Sequence, residues 1–235
     1  MIPWLGSSLL FPPVSQALAE PDGLLAAGGD LSAARLLAAY RGGIFPWYSP
    51  GDPILWWSPA TRMVLEVNAL RTPRSFAKVL RNRRYRVCFN QAFEAVVRAC
   101  AAPRDGHRGT WIVEDMVQAY LRLHQAGHAH SVETWQDGQL VGGLYAVCVG
   151  QMVYGESMFS RVADASKIAL AHLARQMQAH GLSLIDCQMH TDHLARLGAA
   201  PMPREDFMVA LSHRVNLPTP SGLWHYCFDN EPSRP

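Results

Sequence analysis

The sequence predicts an α+β fold: a mixed sheet with flanking helices, preceded by a small N-terminal domain. Three observations carry this expectation. Residues 1–60 are dense in Pro, Gly and Trp; three strand-like runs follow one another from Ser131 to Met158 across tight-turn signals; and an apolar-faced helical stretch then leads into one more short strand. The chain has 235 residues, 49% hydrophobic and 17% charged. That suits one sizeable core with a small satellite and excludes a disordered tail or a fibre.

In residues 1–60, Phe11-Pro12-Pro13 and the run from Ile44 to Pro59, IFPWYSPGDPILWWSP, cannot form one long helix or a central strand. Proline lacks the donor and fixes φ. One helix interrupts the segment: Asp30 is placed to cap it, the Ala/Leu-rich run Leu31 to Arg41 propagates it, and Gly42-Gly43 stops it. Trp56 and Trp57 are assigned to packing.

Residues 61–235 form the second domain and read more regularly. Arg62 to Val67 is expected as a strand, Pro73 to Arg81 as a short basic helix and Tyr85 to Phe89 as a strand. Gln91 to Ala101 places Phe93, Val96, Val97 and Cys100 on one helical face. Glu114 to Gln125 does the same with Met116, Val117, Tyr120 and Leu123, carries acids in its first turn and stops at Gly127. Ser131 to Gln136 is a strand, Asp137-Gly138 a hairpin turn, Leu140 to Val149 a strand, Gly150-Gln151 a second turn, and Met152 to Met158 a third strand. Asp164 can cap a helix from Ala165 to His180, and Leu184 to Gln188 is the returning strand. A right-handed crossover makes that strand parallel to the third. Ligands in such sheets favour the crevice beyond the carboxyl ends of the parallel strands. Here that means Gly155 to Ser160 and Asp186 to His190.

The net charge is only +2, so affinity for polyanions must come from local clustering. Five cysteines, Cys88, Cys100, Cys148, Cys187 and Cys227, are odd in number and widely spaced, which argues against a disulfide framework and for a reducing, cytoplasmic setting. No signal peptide or membrane span is expected, because the longest near-apolar stretch, Leu140 to Gly150, is about half the roughly 20 residues a span needs. His128-Ala129-His130 and His190-Thr191-Asp192-His193 each lack an obvious third ligand, so no metal site is expected.

Alternation puts Asp186 and Gln188 on one face of their strand and Ile185 and Cys187 on the other. Two inward polar groups need partners, and a satisfied buried network is the plain explanation. Glu156, at the end of the neighbouring strand, favours a small ligand instead, with Met158, Leu170, Leu173, Met177 and Ile185 lining an apolar pocket. From Arg71 to Arg86, seven of the chain's 21 basic residues occur with no acid among them, including Arg84, and Arg74, Lys78 and Arg81 share a helical face. A solvated surface is the ordinary meaning of such a run; its density favours a phosphate backbone. Trp47 and Trp111, at element boundaries, are candidates for stacking a nucleobase, against ordinary packing.

The strand order resembles the GNAT acyltransferase fold. A CoA-binding member should carry a glycine-rich loop before the crossover helix, whose amides hold pyrophosphate. Here Ser160 to Lys167 reads SRVADASK, with no glycine and an acid at Asp164. An acyl-CoA-dependent acetyltransferase is thereby disfavoured, though it and a non-catalytic nucleic-acid-binding module remain the alternatives.

Several motifs in order resemble the leucyl/phenylalanyl-tRNA-protein transferases, from about residue 10 to about residue 225. They are Gly28-Gly29-Asp30-Leu31-Ser32, Gly43-Ile44-Phe45-Pro46-Trp47, Leu55-Trp56-Trp57-Ser58-Pro59, Gly109-Thr110-Trp111-Ile112, Gly155-Glu156-Ser157-Met158-Phe159-Ser160, Ala165-Ser166-Lys167 and Ile185-Asp186-Cys187-Gln188. The resemblance implies a bacterial cytosolic enzyme, expected to be monomeric and to need no cofactor. It would move Leu or Phe, and less readily Met, from aminoacyl-tRNA onto proteins beginning with Arg or Lys, creating a degradation signal. It also implies that Asp186 and Gln188 act in the reaction, that Glu156 holds the donor's α-ammonium, and that Trp47 and Trp111 hold the terminal adenosine. Leu144, Met158, Leu170, Leu173, Met177 and Ile185 would surround the aminoacyl side chain, and the basic stripe gains tRNA as its partner.

Overall fold

A computed structural model describes residues 2–82, 84–103 and 112–230. Two sheets divide the chain. The smaller is built from β1 (Trp4–Leu5), β2 (Leu24–Gly28), β3 (Phe45–Pro46) and β4 (Leu55–Trp57) in the order β1-β2-β4-β3, with α1 (Ala33–Arg41) between β2 and β3. Its strands are short because prolines recur through the segment. Ser32, and not Asp30, caps α1: the Ser32 Oγ accepts from the Arg35 amide. Asp30 lies two residues further out and accepts from the Ser32 amide at 2.8 Å and from Arg35 at 3.2 Å. The buried Arg35 also donates to the Gly6 and Ser8 carbonyls, which ties down the N-terminal segment. Trp56 is fully buried, as expected for packing, with its Nε1 donating to the Gly28 carbonyl at 2.9 Å.

The second sheet has eight strands. In chain order its elements are β5 (Thr61–Glu66), α2 (Arg74–Asn82), β6 (Arg86–Phe89), α3 (Phe93–Ala101), α4 (Glu114–Gln125), β7 (Ala129–Gln136), β8 (Gln139–Val149), β9 (Met152–Ser160), α5 (Ala165–Ala179), β10 (Leu184–Asp186), α6 (Asp192–Leu197), β11 (Ala200–Pro203), α7 (Arg204–Ser212) and β12 (Cys227–Asp229). The order across the sheet is β11-β5-β10-β9-β8-β7-β6-β12. The expected meander is present: β7, β8 and β9 pair antiparallel, and β10 returns parallel to β9 after α5. Asp137 and Gly138 both have positive φ, as the tight hairpin between β7 and β8 requires.

Alternation sorts the sheet's two faces into separate cores. Tyr145, Val147, Met152, Tyr154 and Leu184 face α1, α3 and α4, in a core that also holds Leu36, Tyr40 and Trp56 from the N-terminal segment. Leu144, Ala146, Val153 and Ile185 face α5 and pack with Ile168, Leu170 and Leu173.

Four further sequence expectations need correction. β10 ends at Asp186 instead of Gln188, because Gln188 adopts φ 59° and turns out of the strand. β9 continues to Ser160 instead of ending at Met158. Asp164 sits in the left-handed region without capping α5; its carboxylate holds Lys167 at 2.9 Å, and the Ser160 Oγ accepts from the Ser166 amide at 2.8 Å in its place. Finally, Cys88 and Cys227 are joined in a disulfide across 139 residues. They face each other in the register of β6 and β12, which spacing along the chain could not reveal. Cys100, Cys148 and Cys187 take no part in that disulfide. Cys187 packs against the α5-side core, as its alternation predicts. The segment after Gln188, with α6, β11, α7 and β12, is too short-ranged in its periodicity to have been placed from sequence; Pro201 and Pro203 are tolerated in β11 because it is an edge strand. No helix among the described residues is long and apolar enough to cross a membrane.

Candidate active site

β9 and β10 pair only at Ile185 with Val153 and Asp186 with Tyr154. β9 then runs on through Gly155 to Ser160 without β10 beside it, so the sheet forks at this point. On the other side of β9 the register with β8 slips: Gly155 opposes Ala146 and Ser157 opposes Tyr145, which leaves Glu156 as the extra residue of a bulge. A bulge re-aims the side chain it carries. Here it turns Glu156 toward α1 and α4.

Among the described residues the Glu156 carboxylate meets hydroxyls and an amide, not a cation. Tyr40 of α1 donates to its Oε1 at 2.8 Å and Tyr120 of α4 donates to its Oε2 at 2.8 Å. The two phenol oxygens are themselves 2.9 Å apart. Burial pushes the Glu156 carboxyl up to about 7, against the pull of the two tyrosine hydrogen bonds. The proton count agrees with that direction. Two phenol protons serve three oxygen–oxygen contacts when Glu156 is ionised, and a proton on Glu156 supplies the third. Tyr154 fixes α1 from below by donating to the Tyr40 carbonyl at 2.7 Å.

Asp186 is a different kind of carboxylate. It is fully buried and receives both arms of the Arg62 guanidinium, Nε and Nη2, at 2.9 Å each. Arg62 is itself 1% exposed and lies between the rings of Phe45 and Phe207, 4.8 and 4.6 Å from their centroids. Asp186 Oδ1 also accepts from the Gln188 amide N–H at 2.8 Å. Gln188 thus comes back beside Asp186 through a turn, not through strand alternation. Its side chain reaches Glu156 Oε1 at 3.3 Å as a donor. Turned over, the amide nitrogen donates to the Gly155 carbonyl at 3.0 Å and the Cys187 carbonyl at 3.1 Å. Its oxygen then faces Glu156, a contact that requires the protonated acid.

The sequence-predicted residues therefore gather in two groups around the fork. Glu156, Asp186 and Gln188 lie on the side of α1 and α4. Leu144, Leu170, Leu173, Met177 and Ile185 are buried on the α5 side, with the half-buried Met158 at their margin. Trp47 is 37% exposed and edge-on to Trp57 at 5.6 Å. Trp111 lies outside the described residues. On α2, Arg74, Lys78 and Arg81 are exposed opposite the buried Phe76 and Leu80, and Arg84 is exposed just beyond. Among the described residues no three His, Cys, Asp or Glu side chains are grouped to hold a metal ion; His130 stacks on Trp224 at 4.1 Å, and burial lowers it to about 3.

Sequence reasoning missed Tyr40, Tyr120 and Arg62 as site residues. Tyr120 was visible only as part of an apolar helical face, where a buried hydroxyl normally finds a partner. Arg62 carried a clearer signal, a charge next to the apolar run Met63 to Leu65 of its strand, where burial would call for a counter-ion.

A family model described as leucyl/phenylalanyl-tRNA protein transferase matches residues 64–212, and the model of that family's N-terminal domain matches residues 29–60. Among solved structures, FemX aligns with a TM-score of 0.48 and 11% identity over 73% of this chain and 66% of that one, too distant to carry a functional argument. Similar curated proteins are leucyl/phenylalanyl-tRNA–protein transferases. The one from Chromobacterium violaceum is 59% identical over 99% of this chain and 100% of its own length. That from Laribacter hongkongensis is 54% identical over the same shares, and that from Thiobacillus denitrificans 59% over 92% and 95%. Identity at this level along nearly the whole of each chain makes this protein a member of the leucyl/phenylalanyl-tRNA–protein transferase family, and hence an aminoacyltransferase.

Proposed function

We propose that the chain moves Leu or Phe, and less readily Met, from aminoacyl-tRNA to the α-amine of proteins beginning with Arg or Lys, in the cytoplasm, as a monomer and without a cofactor. The new peptide bond would mark the product for degradation. The observation that carries this reading is the fork. One side offers a carboxylate, Glu156, bonded among the described residues to neutral donors alone, and the other offers a buried apolar wall. An aminoacyl ester has the two matching features, a free ammonium and an apolar side chain.

In this reading the acceptor's α-amine attacks the ester carbonyl, a tetrahedral intermediate forms, and the ribose oxygen leaves with the proton the amine loses. A free α-amine has a pKa of about 7.7 to 8.0, so an appreciable neutral fraction exists near pH 7 and no strong base is needed. Gln188 orients amine and ester, and Asp186 fixes Gln188 through the amide hydrogen bond, so that positioning supplies most of the rate. Glu156 takes the donor ammonium. The exposed stripe Arg74, Lys78, Arg81 and Arg84 follows the tRNA backbone, and Trp47, with Trp111, takes the terminal adenosine. Residues 1–60 act as a small domain that brings Tyr40 to Glu156.

The test is transfer of labelled Leu from leucyl-tRNA, with chelator present, to a peptide beginning with Arg and to one beginning with Ala. Transfer to the first and little to the second is expected. Equal transfer removes the acceptor assignment, and measurable acetyl-CoA binding by calorimetry removes the donor assignment.

A further inference from the structure

Asp186 and Gln188 are held by a residue that belongs to neither group at the fork. Arg62 sits on β5 with its guanidinium enclosed by Phe45 from the N-terminal sheet and Phe207 from α7. Both of its bonds to Asp186 are 2.9 Å, a bidentate geometry that a lysine cannot reproduce. Asp186 in turn accepts the Gln188 amide at 2.8 Å. That bond matters because Gln188 stands at φ 59°, a left-handed conformation that disfavours any residue with a β-carbon. β5 holds the same turn from its backbone: the residue after Arg62, Met63, donates to the Gln188 carbonyl at 3.1 Å and accepts from the Cys187 amide at 2.8 Å.

We infer that Arg62 is a positioning residue of the transfer reaction. It acts through Asp186 to hold the left-handed Gln188 turn, which aims the Gln188 amide at Glu156 and Gly155. It also compensates the Asp186 charge inside the protein, so Asp186 is a strut and not the counter-ion of the acceptor's basic side chain. The inference rests on the roles proposed above for Asp186 and Gln188.

The test compares wild type with Arg62→Lys and with the double variant Arg62→Met/Asp186→Leu. Arg62→Met alone leaves an unpaired buried carboxylate and is a poor probe; replacing the whole pair by apolar side chains commonly preserves folding. With leucyl-tRNA and an Arg-initiated peptide, both are expected to lose about 100-fold in kcat while the KM for leucyl-tRNA stays within about threefold. The double variant is expected to keep its thermal midpoint and its preference for Arg- over Ala-initiated peptide. In the unliganded protein, amide exchange across Cys187 to Met189 should be faster in both variants. A folded double variant with wild-type kcat overturns the inference, because the pair would then serve stability alone. Loss of the Arg-over-Ala preference also overturns it, since Asp186 would then face the acceptor. So does unchanged amide exchange. The exchange readout needs no turnover, so a wild-type protein that fails to transfer Leu would refute the proposed reaction and leave the positioning of Gln188 separately tested.

Discussion

Asp186 and Glu156 are two sheltered carboxylates on adjacent strands, and their surroundings are opposite. Asp186 has a guanidinium of its own, bonded at both oxygens. Glu156 has two phenols and an amide, all neutral, and burial raises its carboxyl to about 7. A compensated carboxylate inside a protein is a structural strut, whereas an uncompensated one is poised for a cation that arrives from outside. The comparison therefore supports Glu156, and not Asp186, as the acid proposed to meet the substrate.

The largest expected difference lies in stability. Asp186→Asn leaves the Arg62 guanidinium buried without its anion and should cost about 3–5 kcal/mol, read as a fall in the denaturant midpoint. Glu156→Gln should do the reverse above neutral pH. The folded carboxyl titrates at about 7 and the unfolded one near 4.5, so the folded state binds the extra proton between those values. Wild-type stability should fall as pH rises through that window, and the Gln variant should not follow it. At pH 8 the variant should be about 1–3 kcal/mol more stable than wild type while losing transfer activity. Equal pH dependence in the two proteins would erase the distinction between the carboxylates.

On the apolar side of the fork the effect is on choice of donor. A misplaced methyl is worth about 1–3 kcal/mol, so isoleucyl- and valyl-tRNA should react about 10- to 200-fold less well than leucyl-tRNA, measured as kcat/KM. Glu156→Gln should leave that ratio intact, because its proposed partner is the ammonium and not the side chain. The smallest change in selectivity should come from α2, distant from both carboxylates in its chemistry. Replacing Arg74, Lys78 and Arg81 by Ala should weaken tRNA binding about tenfold and flatten its salt dependence by about two to three units of slope, with donor choice unchanged. Unaltered binding would make the stripe a solvated surface.

Much of this arrangement is legible in the amino-acid sequence. Period-two alternation with Asp137-Gly138 and Gly150-Gln151 gave the meander, and the apolar face of α5 gave the crossover, because both signals are local. Glu156, Asp186 and Gln188 stood out as polar residues at the strand ends of an open sheet. What stayed hidden depends on register or long-range packing. The bulge at Glu156 depends on how β8 slips against β9, and the left-handed turn at Gln188 depends on a hydrogen bond from the Met63 amide and one to the Asp186 carboxylate. The Cys88–Cys227 pairing exists only because β12 adds to the edge of β6 in one register. Arg62 is 124 residues from its partner Asp186, and nothing in the sequence says that Phe45 and Phe207 will enclose it.

The account stands on Glu156 as the anion for the donor's α-ammonium. The direct measurement is binding of leucyl-tRNA and of N-acetyl-leucyl-tRNA, which lacks the ammonium, to wild type and to Glu156→Gln at pH 7.5. Wild type should prefer leucyl-tRNA by about 10-fold or more, the scale of a charge-assisted hydrogen bond, and the variant should bind the two nearly alike. The same preference in both proteins would contradict the account.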